Sequence, residues 1–327
     1  MNLATVGTNW ITSSFIEAAK QSGALNLAAV YSRTEEKAKQ FASVHEAKAV
    51  FTDLEAMANS DSIDCVYIAS PNALHYEQAI MFLQHKKHVI CEKPIFSNIK
   101  ELEAAYKVAE ENGVYLFEAM RNIHMPNFHQ LKAHLTAIGN RRSAVLNYVK
   151  YSSRYDQVLN GEEPNIFSLN YSGGALVDLG VYPLALAISL FGKPERTSYF
   201  PVKIRTGVDG SGTLILNYPD FTCSIMCSKI TTSYVNSEIR GEEGTISVGD
   251  IGTLSDLTLT DIHSDATTKF GDEQLKAEMF YEIEAFTTIM ASGNQAAYET
   301  LKSLSHDVLS ITESARIENG ILYLGEK

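Results

Sequence analysis

The chain has 327 residues, which is long enough for two domains that each bury a hydrophobic core. Its net charge of −12 excludes a general nucleic-acid or anionic-membrane surface, because either would require a basic face. No uninterrupted apolar run reaches about 18 residues, so no membrane-spanning segment is expected. Strand-like residues begin almost at Met1, which leaves no room for a signal peptide, and four scattered cysteines are too few for a disulfide framework. We therefore expect a reduced, cytoplasmic protein that binds neither nucleic acid nor membrane.

The first third of the chain, residues 1–121, alternates short apolar runs with helical patterns, which is typical of a doubly wound parallel sheet. Two pairs, Ser32 with Glu35 and Thr52 with Glu55, have the spacing of capping boxes at helix starts. Gly113 suits a left-handed cap at the end of a helix. The predicted strands are 3–6, 25–31, 63–69, 88–91 and 114–117, and the later helices are 71–86 and 98–111.

The turn after the first predicted strand is where a dinucleotide's diphosphate would bind, on backbone N–H groups at a helix N-terminus. The G-x-G-x-x-G fingerprint is incomplete, because Asn9 and Thr12 occupy the second and third glycine positions. Asn tolerates unusual backbone angles and Thr is small, so the turn can survive, although an ordinary strand–helix turn stays equally open. The candidate cofactor contacts here are Gly7, Thr8, Asn9, Trp10 and Ile11.

The end of the second predicted strand bears on the choice of cofactor. Enzymes that use NAD usually place a carboxylate there for the ribose 2′-hydroxyl, whereas an Arg accommodates a 2′-phosphate. Here Ser32 and Arg33 stand in that place, with no carboxylate before Glu35. Given a dinucleotide, we expect NADP rather than NAD, held by Ser32 and Arg33. The alternative is that Ser32 only caps a helix and Arg33 is solvated.

Polar residues also follow later strands at their carboxyl ends, where open α/β sheets bind ligands. Glu92, Lys93 and Pro94 come directly after an apolar run, and a lysine fixed there by a proline is placed to meet a cofactor and a substrate. Asn72 suits the N-cap of a helix as well as a contact to the nicotinamide ribose. The candidate cofactor contacts of this group are Ser70, Pro71, Asn72, His75, Glu92, Lys93 and Arg121.

Residues 122–327 change to consecutive strands joined by tight turns, which predicts a large, mainly antiparallel sheet and an α+β fold. An open sheet with one uncovered face commonly forms a subunit contact, so we expect a homo-oligomer, a dimer or a tetramer. Cys223 and Cys227 lack His or further Cys neighbours, and we expect no metal. The predicted strands are 144–151, 199–206, 213–218, 221–228, 237–240 and 245–248, and the late helices are 274–290 and 297–316.

One helical pattern, 175–191, is apolar all round and should be buried. Asp178 is its only charged residue, and a buried carboxylate needs a partner or a purpose. Tyr182 lies four residues on and so shares a face with Asp178. Pro183 should kink or divide the helix near Tyr182. An equally open interpretation is a structural Asp178 with Tyr182 as core filler.

The order and spacing of several motifs together resemble the glucose–fructose oxidoreductase/inositol dehydrogenase (Gfo/Idh/MocA) family, over essentially the whole chain. The resemblance implies an N-terminal Rossmann domain, an α+β domain on an open sheet, a nicotinamide cofactor, and reversible oxidation of a hydroxyl to a carbonyl. The motifs are the turn at Gly7, Ser70-Pro71-Asn72 with His75, Glu92-Lys93-Pro94, the segment 173–182 (GGALVDLGVY), 239–245 (IRGEEGT) and 279–286 (MFYEIEAF).

The resemblance also implies roles for three residues. Lys93 is the central catalytic lysine, which also contacts the cofactor, and Asp178 is the carboxylate on the substrate side. Tyr182 stands where many members have His, which is similar to the branch containing dimeric dihydrodiol dehydrogenase, in which Tyr is the acid/base. A free Tyr has a pKa of about 10, and a nearby ammonium such as Lys93 would lower that pKa.

These patterns predict an oxidoreductase that moves a hydride between NADP, or NAD, and a hydroxyl of a sugar, polyol or diol-type small molecule. The expected catalytic residues are Lys93, Tyr182 and Asp178. Reduction of an aldehyde or other carbonyl would use the same residues. A protein that only senses a nucleotide or a sugar is the alternative from another class, although a sensor has no need of a proton-transfer group.

Overall fold

The computed structural model describes residues 1–324 and Glu326. These residues form two compact units, each discontinuous in sequence. The first unit comprises Met1–Ala119 and Leu275–His306. The second comprises Met120–Gln274 and the chain from Asp307 onward. The domain boundary expected after residue 121 stays a prediction. The late segment Leu275–His306 was not expected to belong with the first unit.

The first unit contains the predicted doubly wound sheet, with six parallel strands among its described residues in the order β3-β2-β1-β4-β5-β6. The order reverses between β1 and β4, and such reversals are where open α/β sheets leave a ligand-binding crevice. The strands are β1 Asn2–Val6, β2 Asn26–Tyr31, β3 Ala49–Phe51, β4 Cys65–Ile68, β5 His88–Glu92 and β6 Leu116–Ala119. The helices are α1 Trp10–Ser22, α2 Glu35–His45, α3 Leu54–Ala58, α4 His75–Gln84 and α5 Ile99–Asn112.

Helix ends in this unit partly follow the predicted caps. The side chain of Asn98 accepts a hydrogen bond from the Glu101 N–H at the start of α5, and Gly113 ends that helix in the left-handed region at φ 66°, as predicted. The capping box at Ser32 is wrong, because α2 begins at Glu35 itself and its N-cap is Thr34. A glutamate at the first helical position cannot reach back as the third residue of a capping box does.

Two further N-caps differ from the prediction. The cap of α3 is Asp53 rather than Thr52, since its side chain accepts hydrogen bonds from the Glu55 and Ala56 N–H groups. Asn72 does not cap α4; it opens a 3₁₀ turn, Asn72–Leu74, that leads into the helix. A neighbouring Asp outcompetes Thr at an N-cap, and the 3₁₀ turn moves the helix start three residues along.

The second unit is built on the predicted mainly antiparallel sheet, with eight strands among its described residues in the order β14-β13-β12-β11-β7-β10-β9-β8. One pair, β7 with β10, is parallel. Strands β13 and β14 were not predicted: β14 (TTKF) carries little apolar signal, and the alternation of Leu and Thr in β13 (LTLTD) was overlooked. The strands are β7 Arg141–Val149, β8 Arg196–Lys203, β9 Asp209–Asn217, β10 Thr222–Ser228, β11 Ser237–Gly241, β12 Gly244–Val248, β13 Leu257–Asp261 and β14 Thr267–Phe270.

One face of this sheet is buried against helices. Cys223 is opposite Ala144 and Leu216, and Ile225 is opposite Leu146 and Leu214, and all six side chains are buried. The helices of the unit are α6 Pro126–His134, α7 Arg154–Leu159 and α8 Val181–Phe191. Helix α9, Phe280–Ser292, lies in the first unit, and α10 runs Gln295–Glu318.

The apolar helix of the second unit has two parts. A π-helical turn, Leu176–Gly180, leads directly into α8. The helix therefore changes from π to α just before Tyr182, near the position where Pro183 was predicted to divide it. Proline lacks the N–H that would bond to the preceding turn, and a π-turn is one way to accommodate that loss. Among the described residues, the segment Leu169–Phe191 is long and apolar enough to cross a membrane, but 72% of its apolar window is buried in the protein, as in a core helix.

Candidate active site

The predicted cofactor turn is fixed by hydrogen bonds of Asn9. Its side-chain oxygen accepts from the Ile11 and Thr12 N–H groups at 3.0 and 3.2 Å, and its Nδ2 donates to the Ala69 carbonyl at 2.9 Å. Asn9 thus caps α1 and ties the turn after β1 to the chain that follows β4. These side-chain bonds explain how the turn keeps its form without the second and third glycines of the fingerprint.

Gly7 is the glycine that the turn requires. Its φ is +115°, and a β-carbon at this position would lie 2.7 Å from the Ala69 carbonyl oxygen. The first turn of α1 carries no acidic residue, so no negative side chain there opposes an anion at the helix N-terminus. Trp10, the first residue of α1, is 73% exposed. The residues at this strand-order reversal therefore fit a dinucleotide, with its diphosphate at the start of α1.

The end of β2 presents a positive side chain. Ser32 is buried and its N–H donates to the Phe51 carbonyl at 3.1 Å, whereas Arg33 is exposed on the loop before α2. The next carboxylate, Glu35, pairs with Lys39 at 2.6 Å, and the hydrogen bond from Lys39 lowers the pKa of Glu35. The acidic residue nearest to this strand end is thus already paired, while Arg33 extends into solvent.

The strand end that carries Lys93 is held by buried polar groups. Glu92 accepts a hydrogen bond from the Tyr67 hydroxyl at 2.5 Å, and Lys93 itself is half-buried. The Lys93–Pro94 peptide is cis. Just beyond it, the Ile95 N–H donates to Oε1 of Glu118 on β6 at 3.0 Å. The chain on both sides of Lys93 is therefore anchored to neighbouring strands.

His75 anchors the same segment from α4. Its Nδ1 lies 3.1 Å from the Pro94 carbonyl oxygen, and its Nε2 lies 2.9 Å from the Ser70 carbonyl oxygen. The ring is fully buried, and burial lowers its pKa. Both ring nitrogens of His75 thus contact backbone carbonyls, which places this residue beneath the Lys93 segment. Ser70, Pro71 and Asn72 lie half-buried between β4 and α4.

Tyr182 lies in the first turn of α8, in the second unit, and is 5% exposed. Its carbonyl accepts a hydrogen bond from Asn122 Nδ2 at 3.0 Å. Two side chains pack on its ring: Tyr148 meets it edge-on at 5.4 Å between centroids, and the Arg121 guanidinium carbon lies 5.2 Å from its centroid. Arg121, predicted as a cofactor contact, therefore lies beside the predicted acid/base within this unit.

Asp178 lies in the π-turn, and its carboxylate forms an ion pair with Lys229. Lys229 directly follows β10 and was not singled out from the sequence. The available signal was a lone lysine at the end of an apolar strand, since a lysine there must either reach solvent or find a carboxylate. Here it finds Asp178, which was expected to be the carboxylate on the substrate side.

Among the described residues, no group of three or more His, Cys, Asp or Glu side chains is placed to hold a metal ion. The four cysteines are buried and unbridged, and burial raises the pKa of both Cys65 and Cys223 to about 12.

Comparison with known proteins identifies the family. Residues 1–120 match the Gfo/Idh/MocA oxidoreductase family with its NAD-binding Rossmann fold, and residues 131–247 match the Gfo/Idh/MocA C-terminal domain. The chain is 42% identical to the scyllo-inositol 2-dehydrogenase (NADP(+)) IolU of Bacillus subtilis (strain 168), over 99% of this chain and 98% of that protein. It is 31% identical to the trans-1,2-dihydrobenzene-1,2-diol dehydrogenase of Oryctolagus cuniculus, over 65% of each chain.

The fold has a counterpart among solved structures. KijD10, a 3-ketoreductase from Actinomadura kijaniata in complex with TDP-benzene and NADP, superposes with a TM-score of 0.84 at 22% identity, covering 97% of this chain and 96% of that one. This likeness concerns the fold. Together with the matched domains and the relative of 42% identity, it leads to one conclusion: the chain belongs to the Gfo/Idh/MocA family of oxidoreductases.

Proposed function

We propose that this protein is an NADP-preferring oxidoreductase that interconverts a hydroxyl and a carbonyl on a cyclic polyol, sugar or diol. The observation that carries the proposal is the placement of Asp178 and Tyr182 one turn apart at the start of a buried helix. A carboxylate and a phenol on one face can bind one hydroxyl of a polyol and move the proton of another. The inositol and dihydrodiol dehydrogenases among the relatives act on substrates of this kind.

The roles we assign follow from the chemistry of each group. A nicotinamide cofactor held by the first unit would supply the hydride chemistry. Tyr182 takes the hydroxyl proton on its phenolic oxygen during oxidation and returns it during reduction. Lys93, held between Glu92 and the anchored Pro94–Ile95 segment, is assigned the role of the catalytic lysine that contacts the cofactor. Asp178 accepts a hydrogen bond from the substrate.

The cofactor would be held by the residues of the first unit. Gly7 and Asn9 shape the turn for the diphosphate, with Thr8, Trp10 and Ile11 alongside, and the strand ends at Asn72 and Lys93 serve the nicotinamide half. Arg33 supports the preference for NADP, because it is exposed at the strand end where a 2′-phosphate would lie and the nearest carboxylate is engaged by Lys39. The relative IolU is named as an NADP(+) enzyme.

The assembly we propose is a cytoplasmic homo-oligomer, a dimer or a tetramer, formed through the second unit's sheet. The sheet face opposite the buried one carries half-buried apolar side chains, among them Val145, Ile215 and Met226. On β8, Phe200 is 64% exposed and alternates with the buried Tyr199. A sheet face of this composition commonly meets a second copy. Light scattering on the purified protein tests the oligomeric state.

The experiment that tests the function uses the intact protein. The chain has one tryptophan, Trp10, in the cofactor turn, so NADPH binding should quench its emission and transfer energy to the reduced nicotinamide. Turnover is then followed by the absorbance of NADPH with scyllo-inositol, other inositols, sugars and a trans-dihydrodiol. We expect oxidation of at least one polyol with NADP and slower turnover with NAD. Tight NADPH binding without turnover across this panel, in either direction, would instead favour a sensor.

A further inference from the structure

Lys229 lies directly after the carboxyl end of β10. Its backbone is fixed on both sides, because its N–H donates to the Gly210 carbonyl at 2.8 Å and its carbonyl accepts from the Ser152 N–H at 2.9 Å. Its side chain is 6% exposed and its ammonium lies 5.8 Å from the centroid of the Phe167 ring. The lysine is therefore held by its surroundings, with its charged end inside the protein.

A buried ammonium is costly unless a carboxylate compensates it. Nζ of Lys229 donates to Oδ2 of Asp178, whose side chain is 25% exposed. Since the lysine is the more deeply buried partner, it lies on the inner side of the carboxylate and leaves the outer side accessible. An ionised carboxylate has two oxygens and about four acceptor sites, so this bond leaves Asp178 able to accept further hydrogen bonds.

The position of Asp178 along the helix adds a second observation. It lies within the π-turn, and such turns occur frequently at functional sites. Tyr182 follows four residues on, at the start of α8, and so lies about one helical turn from Asp178. A small polar substrate that reaches the Tyr182 hydroxyl thus has an acceptor one turn away.

We propose that Lys229 is a positioning residue that fixes Asp178 as an ionised acceptor, which selects substrates with a second hydroxyl next to the reacting carbon. This inference rests on the function proposed above. One hydroxyl of such a vicinal diol would exchange its proton with Tyr182 while its neighbour donates to Asp178. Without Lys229 the carboxylate would lose both its charge partner and its fixed orientation, so the hydrogen bond to the second hydroxyl would weaken.

The test compares the wild type with Lys229→Met, Lys229→Arg, Asp178→Asn and the double variant Lys229→Met/Asp178→Asn, each with NADP bound. Steady-state kinetics use scyllo-inositol and cyclohexanol, which has a single hydroxyl. For Lys229→Met we expect KM for scyllo-inositol to rise roughly 10- to 100-fold, with a smaller change in kcat, because the lost bond is made in the bound ground state. The relative rise in KM for cyclohexanol should be smaller. Lys229→Arg should recover part of the affinity for scyllo-inositol.

The double variant keeps the inference testable if Lys229→Met fails to fold, because it replaces a buried ion pair by a neutral pair of similar size. Its rise in KM for scyllo-inositol should resemble that of Asp178→Asn alone, since both residues act through one carboxylate. If the effects of the two single substitutions on KM add up in the double variant, the inference is overturned while the proposed function stands. An unchanged KM in Lys229→Met with NADPH binding intact would have the same consequence. A wild type that binds NADPH but oxidises no polyol would overturn the proposed function, and this inference with it.

Discussion

Gly174 and Asp209 lie against each other, and a β-carbon on residue 174 would overlap Oδ1 of the aspartate. Asp209 is fully buried, and its Oδ2 accepts hydrogen bonds from the Leu176 N–H and the Tyr199 hydroxyl, each at 2.7 Å. The glycine therefore makes room for a carboxylate that caps the start of the helix bearing Asp178 and Tyr182. Burial raises the pKa of Asp209 to about 6.

Gly174→Ala should destabilise the second unit strongly. The new methyl group would overlap Asp209, and the φ of +137° is strained for any residue with a β-carbon. We expect a loss of about 2–4 kcal/mol in the free energy of unfolding, measured by urea denaturation. Gly23→Ala is the matched control, because its φ is +70° and no described atom lies within 4 Å of its virtual β-carbon. Equal losses in the two variants would show that the contact with Asp209 carries no energy.

Glu118→Gln should change how stability depends on pH. Desolvation raises the pKa of the buried Glu118 from 4.5 to about 7, so the folded protein holds a proton that the unfolded chain has already released in this interval. Glu118 therefore contributes stability that is complete below about pH 4.5 and is lost as the pH rises through 7. The side-chain amide introduced by the substitution can still accept from the Ile95 N–H without that loss.

Urea denaturation at pH 5 and pH 8 measures this effect. Relative to the Glu118→Gln variant, the wild type should lose on the order of 3 kcal/mol between low and high pH. Glu36→Gln, which removes an exposed carboxylate instead of a buried one, serves as the control. A constant difference between wild type and Glu118→Gln across this range would contradict the assignment.

The sequence was informative where local chemistry decides the structure. Five of the six strands of the parallel sheet were predictable from the alternation of apolar runs and helical patterns, whereas β3 was not predicted, and α5 starts where the predicted helix 98–111 does. The caps at Ser32 and Thr52 failed because several polar residues stood within two positions of each helix start, and spacing alone does not say which one takes the N-cap geometry.

Contacts between distant segments could not be predicted from the sequence. Asp178 was recognised as a buried carboxylate in need of a partner, but Lys229 is 51 residues away and is brought to it only by the pairing of β10 in the sheet. The same holds for Glu118, which meets Ile95 across two neighbouring strands. Strand β14 was missed because its side chains are largely exposed, whereas the short Leu–Thr alternation of β13 was a signal that the prediction overlooked.

Arg33→Ala should weaken the binding of NADPH selectively. The proposed contact is a charge-assisted bond to the 2′-phosphate, so we expect Kd for NADPH to rise roughly 10- to 100-fold while Kd for NADH changes little. Titration of Trp10 fluorescence measures both constants. Lys37→Ala removes another exposed positive charge near the start of α2 and should leave both constants nearly unchanged. A parallel loss for NADPH and NADH would place Arg33 elsewhere than at the 2′-phosphate.

Tyr182→Phe tests the proposed proton transfer most directly. The ring would keep its edge-on contact with Tyr148 and its place beside Arg121, so only the hydroxyl is lost. We expect kcat to fall roughly 100- to 10,000-fold, as for removal of a general acid/base, while Kd for NADPH stays the same. Tyr155→Phe, a half-buried tyrosine of the same unit that packs on Phe167, is the control and should keep nearly full turnover. If Tyr182→Phe oxidises the preferred polyol at the wild-type rate, the proton must leave through another group, and Arg121 and Lys93 would then be the next residues to replace.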